Sequence, residues 1–153
     1  MTLQKTYATL DDLLQVEPTI TEYGVLDWNW ELGRSQKEVQ RILAVRWWPQ
    51  YSKQFKVNIT IVGQMAIMDE LRLEGSQWTM ATVYHALAYH ICPKLTKFEV
   101  DSDKFQVMME YYAGRFEHEM DLAIRQGVQY DINLDGVISN WEKIPDTYLR
   151  LRR

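Results

Sequence analysis

What most limits the folds open to this chain is a run of apolar residues at helical spacing. Phe105, Met109, Tyr112, Phe116, Met120 and Ala123 follow Asp101-Ser102-Asp103 and stop at Gly127. Intervals of three and four put these side chains on one stripe of a helix; Asp and Ser can accept hydrogen bonds from the free amides at its start, and Gly suits its end. Such a helix must bury its stripe against other elements, and the chain supplies them. Trp28, Leu32, Ser35, Val39, Ile42, Leu43 and Arg46 repeat the pattern over residues 27–48, with Pro49 as the stop. Gly33 weakens that helix by roughly 1 kcal/mol relative to Ala, and Ser35-Gln36-Lys37-Glu38 has the form of a capping box that would start it later. Ser76 opens a further helix that places Trp78, Ala81, Tyr84 or His85, Ala88 and Ile91 on one face and breaks at Pro93. Ala81, Ala86 and Ala88 would let neighbours approach it closely.

Shorter signals fill the gaps. Thr9 precedes Leu10, Leu13 and Leu14, with Asp11 and Asp12 in the first turn, and Pro18 and Gly24 bracket a helical stub. Residues 51–75 conflict: Val57, Ile59 and Ile61 alternate as in a strand, whereas residues 65–73 look helical. A chain of 153 residues has the size of one domain. The pattern predicts an all-α fold: an antiparallel helical bundle with short extra helices over residues 1–143, carrying an EF-hand-like loop at 131–142, then an extended tail at 144–153.

That loop is the sharpest motif. Asp131, Asn133 and Asp135 offer side-chain oxygens from alternate positions, Gly136 permits the sharp turn, and the Val137 carbonyl, Ser139 and Glu142 complete a twelve-residue calcium pattern. Calcium is a hard cation that takes six to eight oxygens, which explains both the residue types and their spacing. Asx-rich turns also form without metal, and Ser139 with Glu142 is a capping box in its own right. A helix that stops at Gly127 and an exit cut short by Pro145 leave no helix pair to open and close, so the expected role of the ion is structural.

Other chemistry is weakly signalled. His85 and His90, five apart, should point to different sides of an α-helix, which argues against a shared metal. Glu117-His118-Glu119 has the form of a solvated helix face. Cys92 has no visible base, and as the single cysteine it excludes an internal disulfide. No phosphate loop, zinc cluster or nucleophile elbow occurs, so no catalytic residue, enzymatic activity or small-molecule substrate is expected. A net charge of -4 gives no general pull toward nucleic acid or anionic membranes, and no apolar run is long enough to span a bilayer. The absence of a basic-then-apolar leader suggests a cytoplasmic chain. Six Trp and nine Tyr are many for this length and suit subunit contacts. From Tyr148 the tail alternates, with Leu149 and Leu151 on one side, Arg150 and Arg152 on the other, and Arg153 at the end; such a segment can pair with the edge of a partner's sheet, or fray.

Several pieces together resemble the head-completion or head-to-tail adaptor proteins of tailed bacteriophages, the neck subunits beneath the portal. They are Tyr7-Ala8-Thr9-Leu10-Asp11-Asp12-Leu13-Leu14, Arg46-Trp47-Trp48-Pro49, Ile91-Cys92-Pro93-Lys94-Leu95, and the run from Tyr111-Tyr112 through Phe116 to Gly127-Val128-Gln129-Tyr130-Asp131 and its loop. The resemblance implies a structural virion protein, assembled in the host cytoplasm and repeated in a homo-oligomeric ring. It also implies contacts with the portal and with tail or neck proteins, and DNA that passes without sequence-specific binding. The alternative is a calcium-dependent interaction module of the dockerin type, although dockerins carry two such loops and this chain has one.

Overall fold

Burial follows the stripes: Trp28, Leu32, Val39 and Leu43 meet Trp78, Ala81, Val83, Leu87 and Ile91, and these meet Tyr112, Phe116 and Met120, in one continuous core. A computed structural model describes residues 5–54, 67–97 and 103–143. In chain order the helices are α1 (Leu10–Val16), α2 (Asn29–Arg46), α3 (Trp48–Gln54), α4 (Thr79–Ala86), α5 (Cys92–Leu95) and α6 (Lys104–Gln126). A π turn, Leu87–Ile91, joins α4 to α5 as one helical rod. The fold is all-α; the described residues contain no strand, only an isolated antiparallel bridge between Leu73 and Tyr130.

The rod lies between α2 and α6 and runs against both. Ser35 of α2 meets His85 while Glu31, earlier in α2, meets Lys94; likewise Tyr112 of α6 stacks on Tyr84 while Asp103 at its start binds Thr96. The local chemistry explains the ends. Thr9 and Asp12 exchange side-chain and backbone hydrogen bonds in a capping box, as do Asp103 and Gln106. Ile20–Tyr23 forms the stub as a 3-10 turn, closed by Gly24 at φ 96°.

Three local expectations are corrected. Helix α2 does begin before Ser35, whose side chain is buried against His85 instead of capping. Pro93 does not break its helix, since it sits in the first turn of α5 and the rod runs on to Leu95, whereas α2 does end before Pro49, at Arg46, and Pro49 lies in the first turn of α3. Ser76 donates to Glu74 instead of capping, and α4 starts at Thr79 after a 3-10 turn, Gly75–Trp78. Of the conflicting stretch 51–75, residues 51–54 belong to α3 and Glu70–Arg72 is a 3-10 turn. The alternating Val57, Ile59 and Ile61 and the tail residues Tyr148, Leu149, Arg150, Leu151, Arg152 and Arg153 lie outside the described residues, as does the proposed boundary at 144.

Candidate metal centre

Four aromatic rings set the base of the loop. Tyr130, the residue before Asp131, packs on Trp47, Trp48 and Tyr51 with ring centroids 5.3–5.7 Å away, and its hydroxyl accepts a hydrogen bond from the Asp69 amide at 3.2 Å. The loop's entry is sewn to the preceding turn: the Asp131 amide donates to the Arg72 carbonyl at 3.0 Å, and the Arg72 guanidinium donates to the Ile132 carbonyl at 2.9 Å. At its exit, Lys143 rests on Gly127 so closely that a Cβ at Gly127 would collide with the Lys143 carbonyl. Gly127, with φ at 106°, therefore ends α6 and also makes room for the chain returning from the loop. Sequence reasoning found only the first of these roles.

Within the loop the expected ligands converge on a chain of turns. The Gly136 amide donates to Asp131 Oδ2 at 3.0 Å, the Asp135 amide to Asn133 Oδ1 at 3.2 Å, and the Val137 amide to Asp135 Oδ1 at 2.8 Å. The last two are Asx turns and the first spans the whole turn; the Asn133 and Asp135 side chains face one another, the Asn133 amide donating to Asp135 Oδ2 at 2.9 Å. Gly136 has φ 80°, as the sharp turn requires, and Leu134 holds the left-handed region at φ 58°, a conformation that strains a branched side chain. Glu142, fully buried in the 3-10 turn Asn140–Glu142, closes the ring: its oxygens accept from the Ile132 amide at 3.1 Å and the Ser139 amide at 2.6 Å. Ile138 is half-buried. Burial, and then the negative charge of Glu142, push the Tyr51 phenol well above its ordinary range, so this carboxylate lies close to the aromatic base.

Whether these residues fit a cation turns on one atom. Asp131 Oδ1 is buried and has no hydrogen-bond partner, and no Lys, Arg or His pairs with Asp131, Asp135 or Glu142 among the described residues. A buried carboxylate oxygen without donor or counter-charge is costly, and a divalent cation supplies what the protein withholds. Among the described residues no three His, Cys, Asp or Glu side chains are gathered as a metal-ligating group, the loop's own Asp131, Asp135 and Glu142 included. The donor chemistry is all oxygen, which suits calcium and not zinc.

Elsewhere the reactive side chains are shut in. Burial pushes the Cys92 thiol up to about 12, which keeps it protonated. His85 and His90 do come together, against expectation: the π turn spans i to i+5 and brings their rings to 5.4 Å. Burial, and then His90, lower His85 to about 4, so its imidazole is neutral, bound to the fully buried Ser35 hydroxyl at 3.0 Å. Glu117 pairs with Arg46 at 2.9 Å and Glu119 with Arg115, the solvated face that the pattern implied. No described helix is long and apolar enough to cross a membrane. Comparison with known proteins returns no match to any family model, curated protein or solved structure.

Proposed function

We propose that this chain is a structural subunit of a tailed-bacteriophage neck, a head-to-tail adaptor repeated in a ring beneath the portal, whose loop 131–142 is clamped by one structural calcium. The observation that carries the metal reading is the buried, unpartnered Asp131 Oδ1 inside an all-oxygen turn. Asp131, Asn133, Asp135, the Val137 carbonyl, Ser139 and Glu142 would hold the ion, which draws together carboxylates that otherwise repel. The ring reading rests on the sequence resemblance. It is supported by helices that leave large apolar side chains exposed, Trp30, Val45, Val107 and Tyr111 among them, on a body whose one thiol is buried and whose buried His85 is neutral.

Isothermal titration with calcium, read beside native mass spectrometry of the full chain, tests both parts. Binding at one site per chain, together with a closed ring of many copies that seats on purified portal, is the expected result. A flat titration removes the ion; a chain that never assembles and ignores portal removes the adaptor. The exposed Leu134 and Val137 at the loop tip favour one competitor, a calcium-dependent interaction module, and a one-to-one complex that dissolves in chelator would select it.

A further inference from the structure

Beside the first turns of α2 lies an open groove of about 540 Å³, walled by Thr6, Trp30, Gly33, Arg34, Gln36 and Lys37. Gln36 builds one wall by holding the N-terminal segment against the helix: its side chain accepts from the Tyr7 amide at 2.9 Å and donates to the Lys5 carbonyl at 2.7 Å. Gly33 leaves the floor open, with no atom within 4 Å of where its Cβ would be. Trp30 is 63% exposed and is flanked by Arg34 and Lys94, at 5.4 and 4.9 Å from the ring centre. Lys94 is neutralised by Glu31 at 2.6 Å, but Lys5, Arg34 and Lys37 meet no carboxylate among the described residues. In a chain of net charge -4 this groove is a concentrated patch of uncompensated positive charge beside an exposed tryptophan.

Its complement is on the same chain. At the tip of the loop Leu134, between Asn133 and Asp135, and Val137, after Gly136, are each 64% exposed. Leu134 holds a left-handed backbone, so the tip carries both strain and apolar surface that no described residue covers. Even with a divalent cation bound, Asp131, Asp135 and Glu142 leave the loop net negative, three negative charges against two positive. A chain's own loop is badly placed for its own groove. Tyr130 anchors the loop on Trp47 and Trp48, whereas the groove ends at Lys37, about 15 Å earlier along the helix axis at the usual rise per residue. The loop's hydrogen bonds also close it on itself.

We infer that the acidic, apolar tip of loop 131–142 docks in the Trp30–Arg34–Lys37 groove of a second copy, making the head-to-tail contact between neighbouring subunits. The inference rests on the ring reading and names its interface. A contact between two different patches propagates around a ring, because each copy keeps one free groove and one free tip until the circle closes.

Two variants that should fold well test it. Gly33→Leu fills the groove at a helical position with open space and better helix propensity, and Leu134→Asn puts a residue that tolerates the left-handed region at the tip. In sedimentation velocity on the full chain, each variant alone should need at least about ten-fold more protein to associate, with a melting temperature no lower than the parent's. An equimolar mixture should form a one-to-one heterodimer and stop there, since only one intact tip and one intact groove face each other. Association of the parent should weaken with salt. If both variants assemble like the parent, the docking is wrong and the ring uses another surface. A mixture no better than its parts also overturns it. If the parent stays monomeric at every concentration, the docking falls together with the ring reading. Loss of a single-stranded oligonucleotide or an acidic peptide in Gly33→Leu, with assembly untouched, would assign the groove to a different occupant and overturn the proposal.

Discussion

The helical body and the loop at its end are held by different forces. In the body, α2, the α4–α5 rod and α6 satisfy their own backbone and bury Trp28, Trp78, Phe116 and Met120 almost completely, so apolar area removed from water does the work and no outside partner is needed. In the loop, backbone amides are taken by Asp131, Asn133, Asp135 and Glu142, little apolar surface is covered, and a carboxylate oxygen is left buried without a partner. Elements built on burial resist loss of any single polar group, while elements built on polar satisfaction depend on every member. A cation would convert the second kind into something as firm as the first.

The largest test strikes the body. Phe116→Ala removes a ring that meets His85 edge-on at 4.9 Å, and the cavity should cost about 3–5 kcal/mol in urea denaturation, with loop and helices melting together. Acid is next. The folded His85 sits near 4 and the unfolded one near 6.5, so its stabilising effect is whole above pH 6.5 and is lost as pH falls through that interval toward 4. The loss should be on the order of 3 kcal/mol, and a His85→Asn variant should lack that limb of the stability profile. Persistence of the full acid limb in the variant would assign it to other groups. Smaller, and confined to the other region, is Gly127→Ala. It should cost about 1–3 kcal/mol and speed amide exchange and cleavage near residues 139–143 while the α4 amides keep their protection. Equal loosening of both regions would show that loop and body unfold as one unit.

Much of the body was legible because helix periodicity and capping are local. The stripe on α6, its Asp103 start and its Gly127 end can be read from neighbours within one turn, and the structure keeps them. The loop's spacing of side-chain oxygens is legible for the same reason. What escaped depended on contacts distant in sequence. Pro93 looked like a break because its missing amide is costly inside an α-helix, yet the π turn before it lets the rod restart there. That same turn changes the register from four to five and brings His85 beside His90, which no α-helical wheel would do. Residues 18–24 carried Pro and Gly punctuation, but nothing nearby in sequence marked Tyr130 as the floor on which Trp47, Trp48 and Tyr51 converge.

By itself, then, the amino-acid order determined that the chain is helical, where its long helices lie, and which oxygens stand at calcium spacing, since all of these depend on residues a turn or less apart. Only the tertiary structure decided that Gly127 yields to Lys143, that Glu142 is buried beneath the loop it closes, and that Trp30, Arg34 and Lys37 wall a groove with Thr6. These relations join positions that sequence separates by many residues, and packing the apolar stripes together is what brings them into contact.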